Sequence, residues 1–215
     1  MKVALIGATG FVGKALLNEL LDRGHQVIAI ARNPDGIAPH KDLTIAQIDA
    51  TNKDLLADAI KGADMVVSAY NAGWTNPHLY TDFLSGSRAI QAGVKKAGVK
   101  RLLVIGGAGS LYINGQQLVD SPQFPAEYKA GATAARDYMT ELKQETDIEW
   151  TFFSPAIEMH HGTSGKRTGT YRLGKDNPVF NEEHRSVLSV EDLAAAVVDE
   201  VEQGKHTRER FTAGY

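Results

Sequence analysis

The segment Gly7-Ala8-Thr9-Gly10-Phe11-Val12-Gly13 constrains this chain more than any other. It follows an apolar run at residues 2–6. It opens a stretch, 13–23, in which Ala15, Leu16, Leu17, Leu20 and Leu21 recur with the period of a helix face. A strand, a turn with glycine at i, i+3 and i+6, and a helix make the arrangement in which a pyrophosphate meets a helix N-terminus. Gly7 permits the tight turn, Gly10 removes a side chain where backbone approaches phosphate, and Gly13 lets the helix lie close to the strand.

The same alternation runs on through the chain. Strands are expected at 26–31, 43–49, 64–69, 101–105, 149–153 and 210–214, and helices at 53–61, 77–97, 126–145 and 190–203. Short apolar runs separated by amphipathic helices build βαβ units. The expected fold is therefore a Rossmann-like, doubly wound α/β protein with a parallel sheet and helices on both faces. Residues 1–215 read as a single NAD(P)-binding domain. Residues 157–186 break the rhythm, being rich in Gly, His and basic residues with no sustained period, and are expected to form a small C-terminal lid or substrate-binding insertion.

Composition narrows the function. With 23 Lys+Arg against 26 Asp+Glu, a net charge of −3 leaves no global basic field, which argues against a nucleic-acid partner. Cysteine is absent, so thiolate chemistry, disulfides and Cys-based zinc sites are excluded. No apolar run is long enough to span a membrane and the first residues lack a secretory core, so a cytoplasmic protein without a membrane partner is expected. His160 and His161 are adjacent and lack a suitably spaced third ligand, so no metal site is expected.

The end of the second strand selects the dinucleotide. An acidic residue about 20 positions beyond the glycine motif ordinarily binds the ribose 2′-OH of NAD. Here the strand ends Ile30-Ala31-Arg32-Asn33-Pro34, with no carboxylate before Asp35. Arg32 offers a fork of donors to a 2′-phosphate, so NADP(H) is favoured over NAD(H); the competing reading is a solvated surface arginine. Asp49, followed by Ala50, has two readings of equal weight: an acceptor for the adenine amino group, or an N-cap for the next helix. Ala69-Tyr70-Asn71 ends the fourth strand, Gly106-Gly107-Ala108 the fifth and Ser154-Pro155-Ala156 the sixth, where ligands of open α/β sheets bind.

These motifs, with Trp150-Thr-Phe-Phe-Ser-Pro155, Gly106-Gly107-Ala108-Gly109-Ser110-Leu111, Arg167-Thr-Gly-Thr-Tyr-Arg-Leu-Gly174 and the terminal Arg210-Phe-Thr-Ala-Gly-Tyr215, resemble the atypical short-chain dehydrogenase/reductase superfamily. The chain is most similar to its NAD(P)H-binding group, which includes NADH-flavin-reductase-like proteins, flavin/biliverdin-IXβ reductases and NmrA-like redox-sensing regulators. The resemblance covers almost the whole chain. It implies a bound NAD(P)H and hydride transfer to a flavin or similar acceptor.

Two departures qualify that implication. Short-chain dehydrogenases carry a Tyr-x-x-x-Lys pair on the helix before the sixth strand, and counting back from Ser154-Pro155 places it at Gly131 and Ala135, neither of which does acid/base chemistry. Tyr171 and Lys175 have the spacing but lie in the lid with Gly174 between them. Tyr128 and Lys129 sit about one turn before the positions at Gly131 and Ala135, so Lys129 is a candidate to reach the nicotinamide ribose, against the reading of a solvated helix start. The serine and histidine that the flavin/biliverdin-IXβ reductases use fall at Gly107 and Ala156, leaving Ser110, Tyr112 and His160 as catalytic candidates, with His161 beside them.

Lys166, Arg167, Arg172 and Lys175 make the lid basic within an acidic chain. Arg167 and Arg172, with Ser110 and His160, are the expected contacts for an anionic small-molecule acceptor such as FMN; a solvated loop is the competing reading. The leading function is NADPH-dependent reduction of a flavin-like or quinone-like acceptor. A non-catalytic NADP(H)-binding sensor is the alternative, and a sugar-nucleotide epimerase/dehydratase is the weaker one, since so short a chain leaves little room for its substrate domain.

Overall fold

A computed structural model describes all residues, 1–215. β1 (Lys2–Ile6), β2 (Gln26–Ala31), β3 (Leu43–Gln47), β4 (Met65–Ser68), β5 (Arg101–Ile105), β8 (Glu149–Ser154), β9 (Arg172–Gly174) and β10 (Glu209–Gly214) form one sheet in the order β3-β2-β1-β4-β5-β8-β10-β9. Every pair is parallel except β9 against β10. The remaining strands, β6 (Tyr112–Ile113) and β7 (Gln116–Gln117), form a small separate hairpin.

Helices α1 (Phe11–Asp22) and α5 (Val190–Gln203) pack together on one face. On the other lie α2 (Lys53–Ala59), α3 (Leu79–Lys96) and α4 (Ala126–Leu142). Because helices cover both faces, the central strands read as continuous apolar runs: β4 is buried throughout and β1 after its first residue. Two cores result, one around Leu56, Phe83, Tyr138 and Phe152 and the other around Leu5, Leu16, Phe153 and Phe211. Ser189 caps α5 by accepting from the Asp192 amide at 3.0 Å, and Gly204 ends the helix in the left-handed region at φ 60°.

The expected doubly wound sheet is present, with local corrections. The third strand stops at Gln47 instead of Asp49, because the Asp49 carboxylate accepts from the Thr51 amide and hydroxyl at 2.9 and 2.7 Å and turns the chain. Asn52, not Asp49, caps α2, accepting from the Asp54 and Leu55 amides. The hairpin at Tyr112–Gln117 and strand β9 are additions.

The segment 157–186 differs most from expectation. It holds a strand where none was expected, since β9 completes the sheet by antiparallel pairing with β10, and the preceding residues are fastened to helices. Arg167 bonds both Glu19 oxygens on α1, at 2.8 and 2.6 Å. Asp192 on α5 accepts from the Thr168 and Gly169 amides, the Thr168 hydroxyl and the Tyr215 hydroxyl. Tyr171 donates to Asp199.

Candidate functional site

The first βα turn has the geometry that its glycines demand. Gly7 sits at φ +79°, and a Cβ there would lie 2.6 Å from the Ala69 carbonyl oxygen. A Cβ on Gly13 would lie 1.9 Å from the Gly7 carbonyl oxygen, so helix and loop approach to a distance that only glycine permits. Gly10 is the N-cap of α1, no side chain caps the helix and no acidic residue lies in its first turn. The amides of Phe11, Val12 and Gly13 consequently have no intrahelical acceptor, and the positive end of the helix dipole is uncompensated. That arrangement fits a dinucleotide pyrophosphate. Ala8 is fully buried under the turn, and Thr9 is half-buried at its rim.

Arg32, Asp49 and Tyr70 converge at the C-terminal ends of β2, β3 and β4. The Thr51 bonds hold the Asp49 carboxyl below the usual carboxylate range, with a further contribution from the nearby Arg32 guanidinium. Arg32 is exposed and makes no ion pair; only its carbonyl is engaged, by Gln47 at 3.2 Å. Tyr70 is structural: its ring crosses Gly86 on α3, where a Cβ would lie 2.3 Å from the phenol oxygen, and its hydroxyl donates to the Asp82 carbonyl at 3.2 Å. Ala50 is buried beside this group, and Asn71 accepts from the Gly73 amide at 2.7 Å.

Gly106, Gly107 and Ala108 follow β5, and α4 packs against them. A Cβ on Gly106 would meet the Phe152 ring at 2.0 Å, and one on Gly107 would stand 3.7 Å from the Ala135 Cβ. Ser154 and Ala156 are buried, with Pro155 between them, at the end of β8. Gly131 and Ala135, a turn apart on α4, carry no donor, so no proton-relaying pair is built there. The space over Gly131 is taken by an aromatic ring: a Cβ at that position would lie 3.0 Å from Cζ3 of Trp74. Lys129 is exposed on the first turn of α4 and has no ion-pair partner.

Several candidates for catalysis or acceptor binding are employed elsewhere. The Ser110 hydroxyl is buried, bonds the Gly107 carbonyl at 3.0 Å and shares a 3.0 Å bond with Ser154, so it shapes the loop. Tyr112 is tied through its backbone to Asp176 and Asn177, and its ring lies 5.5 Å from the Arg210 guanidinium. The His160 ring accepts from the Gly162 amide and caps its own short turn. Arg167 is engaged by Glu19, while Arg172 donates to the Phe180 and Tyr215 carbonyls. In the structure the bonds of Arg167 and Arg172 fasten the 157–186 segment to α1 and to the end of β10.

His161, named beside His160 in the sequence, has its ring 4.1 Å from that of Phe11 at a tilt of 46° and brings the 157–186 segment over the start of α1. Two residues at the site escaped the sequence reading. Arg210, buried on β10, donates to the Ser110 carbonyl at 2.6 Å and to Asp176, steadying the loop after β5 from behind. Trp74 is 60% exposed in a polar turn. A large aromatic in such a turn, directly after a strand end, is the signal that could have found it.

The fold and the glycine turn define a Rossmann-like dinucleotide-binding protein. The chain matches the model of a family described as NAD(P)H-binding over residues 7–203, and it belongs to that family. It is 40% identical over 215 residues to the uncharacterized protein YwnB of Bacillus subtilis, spanning 99% of this chain and 97% of that one. A solved structure from Bacteroides thetaiotaomicron, provisionally described as an epimerase, superposes with a TM-score of 0.91 at 45% identity, covering 100% of this chain and 96% of the other. Another from Streptococcus pneumoniae, provisionally described as an NADH-flavin reductase, has a TM-score of 0.85 at 35% identity over 100% and 99% of the two chains. No helix is long and apolar enough to cross a membrane.

Proposed function

We propose that this protein is an NADPH-dependent reductase of a flavin-like or quinone-like acceptor. When bound, the dinucleotide supplies a hydride. The acceptor takes up that hydride and one proton from solvent, leaving oxidised dinucleotide and a two-electron-reduced acceptor. The free amides of Phe11, Val12 and Gly13 would hold the pyrophosphate and Arg32 the 2′-phosphate, with Asp49 and Ala50 beside the adenine. Gly106, Gly107, Ala108, Ser154, Pro155 and Ala156 leave a floor with few side-chain atoms for flat rings. A soluble nicotinamide pool places such an activity in the cytoplasm.

The observation that carries the acceptor class is the pairing of Gly131 with Trp74. Reduction of a ketone needs a proton donor at the reacting oxygen, and α4 presents none at Gly131 or Ala135, where the pair of a short-chain dehydrogenase stands, while the indole closes the space over Gly131. Flavins and quinones need no such donor at the atom that receives hydride. The provisional description of the Streptococcus pneumoniae relative agrees with this reading.

The test is NADPH oxidation with FMN, riboflavin and small quinones as acceptors. Turnover on at least one is expected, with NADPH preferred to NADH. Tight NADPH binding without turnover on any acceptor would assign a redox sensor instead.

A further inference from the structure

Trp74 and Tyr128 form an exposed aromatic corner. Trp74 lies in the turn between β4 and α3, Tyr128 in the first turn of α4, and their rings meet edge to face at 5.8 Å and 86°. They remain 60% and 51% exposed, although each has an apolar neighbour within reach. Aromatic rings of this size gain from burial, so two left open side by side mark a surface that something covers.

Helix geometry fixes where the corner faces. Tyr128, Gly131 and Ala135 are spaced i, i+3 and i+7, so they share one stripe of α4. Ala135 on that stripe stands against Gly107 at the end of β5, and Gly131 lies under the Trp74 indole. The aromatic corner thus continues the glycine-lined floor at the strand ends.

The indole is held in place by its own turn. Gly73 adopts φ +99°, and its amide donates to Asn71 Oδ1 at 2.7 Å. Asn76 Nδ2 donates to the Ala72 carbonyl at 3.2 Å and to Asp82 at 2.8 Å, while Asn76 Oδ1 accepts from the His78 amide at 2.8 Å. A rigid turn presenting an open ring is a preorganised stacking surface.

We propose that Trp74 and Tyr128 are the acceptor-binding residues, Trp74 as the platform on which a planar conjugated ring stacks and Tyr128 as its side wall. This rests on the reductase reading and extends it by assigning specificity to ring shape. A protein partner is a poorer occupant, because two side chains offer far less than the roughly 800 Å² per partner of a stable protein interface.

The experiment is direct binding to the intact protein saturated with NADP+, which separates stacking from turnover. Riboflavin and a neutral naphthoquinone are titrated, the first followed by quenching of its own fluorescence and the second by quenching of tryptophan emission. For the wild type, both ligands are expected to bind. For riboflavin, Trp74→Ala is expected to weaken binding about tenfold and Tyr128→Ala about threefold, with Trp74→Phe retaining most of the affinity.

Gly131→Ala is an independent arm. Its methyl would stand 3.0 Å from the indole and 3.2 Å from Leu79 Cδ2 and shift the ring by a few tenths of an ångström, while alanine improves helix propensity, so riboflavin affinity should fall about twofold without loss of folding. NADPH affinity, measured separately, should be the same in all four variants. Riboflavin binding unchanged in Trp74→Ala, or binding of neither ring by the wild type, overturns the proposal. Failure of NADPH to bind overturns the cofactor reading alone.

Discussion

Arg167 grips both carboxylate oxygens of Glu19, with Nε 2.8 Å from one and Nη2 2.6 Å from the other. The pair fastens the 157–186 segment to the helix that carries the glycine turn. Glu19 is buried and also paired with Arg23 at 2.8 Å, so its charge stays satisfied when Arg167 is removed. Arg167→Ala should therefore cost about 1 kcal/mol in a denaturant titration. The Michaelis constant for FMN should be unchanged in Arg167→Ala and Arg172→Ala; a rise of about tenfold would return these arginines to the acceptor site.

Arg32 is the exposed cation at the end of β2 that lacks an ion-pair partner. Replacing it with alanine should weaken NADPH binding by roughly 10-fold to 100-fold, the range for losing a charge-assisted hydrogen bond, with NADH binding changed little. Titration calorimetry with both dinucleotides checks this. Equal losses would show that Arg32 does not read the 2′-phosphate.

Gly13→Ala must force apart backbone that now leaves a Cβ only 1.9 Å from the Gly7 oxygen. A loss of about 3 kcal/mol in stability is expected, together with loss of dinucleotide binding. Gly24→Ala is the contrast: its φ is +77°, but nothing lies within 4 Å of the added methyl, so about 1 kcal/mol and intact binding are expected. Thermal melts with and without NADPH separate the two.

Acid should loosen the 157–186 segment before it melts the sheet. The Arg167 guanidinium holds the Glu19 carboxyl below its ordinary range against the opposing effect of burial. Burial alone would raise Asp192, but bonds from Thr168, Tyr215 and Gly169 outweigh it and leave the carboxyl lowered. A carboxylate with a depressed folded pKa contributes stability above its unfolded value, near 4, and that contribution is lost as pH falls through the folded value. Hydrogen exchange should show the amides of Thr168 and Gly169 losing protection below about pH 4, earlier than those of β1 and β4. Simultaneous loss would mean that these carboxylates do not hold the segment.

Ser110→Ala removes a buried hydroxyl that bonds Gly107 and Ser154. A stability loss of about 1 kcal/mol is expected, with kcat altered no more than threefold, roughly. A hundredfold fall in kcat with normal stability would make Ser110 catalytic after all.

How much was legible depended on how local the physics is. The glycine turn, the apolar strands β1, β2 and β5 and the amphipathic α1 and α5 are written in short runs of residues, because strand burial, helix period and glycine conformation act over a few positions. The role of Arg167 was not legible, since its partner Glu19 is 148 residues away and nothing in a basic stretch says whether its charges meet ligand or protein. The same holds for β9, three residues long, which becomes a strand only through pairing with β10.

By itself, then, the amino-acid order determined a doubly wound sheet with a phosphate-binding turn and a basic residue after the second strand, and it showed that α4 lacks the Tyr-Lys pair. Only the tertiary structure decided what stands in place of that pair and what the segment after β8 does. Trp74 packs over Gly131, 57 residues along the chain, and Asp192 gathers Thr168, Gly169 and Tyr215 from separate parts of the chain. The reason is that a side chain's partner is set by the packing of whole elements, and packing joins residues that no sequence window contains.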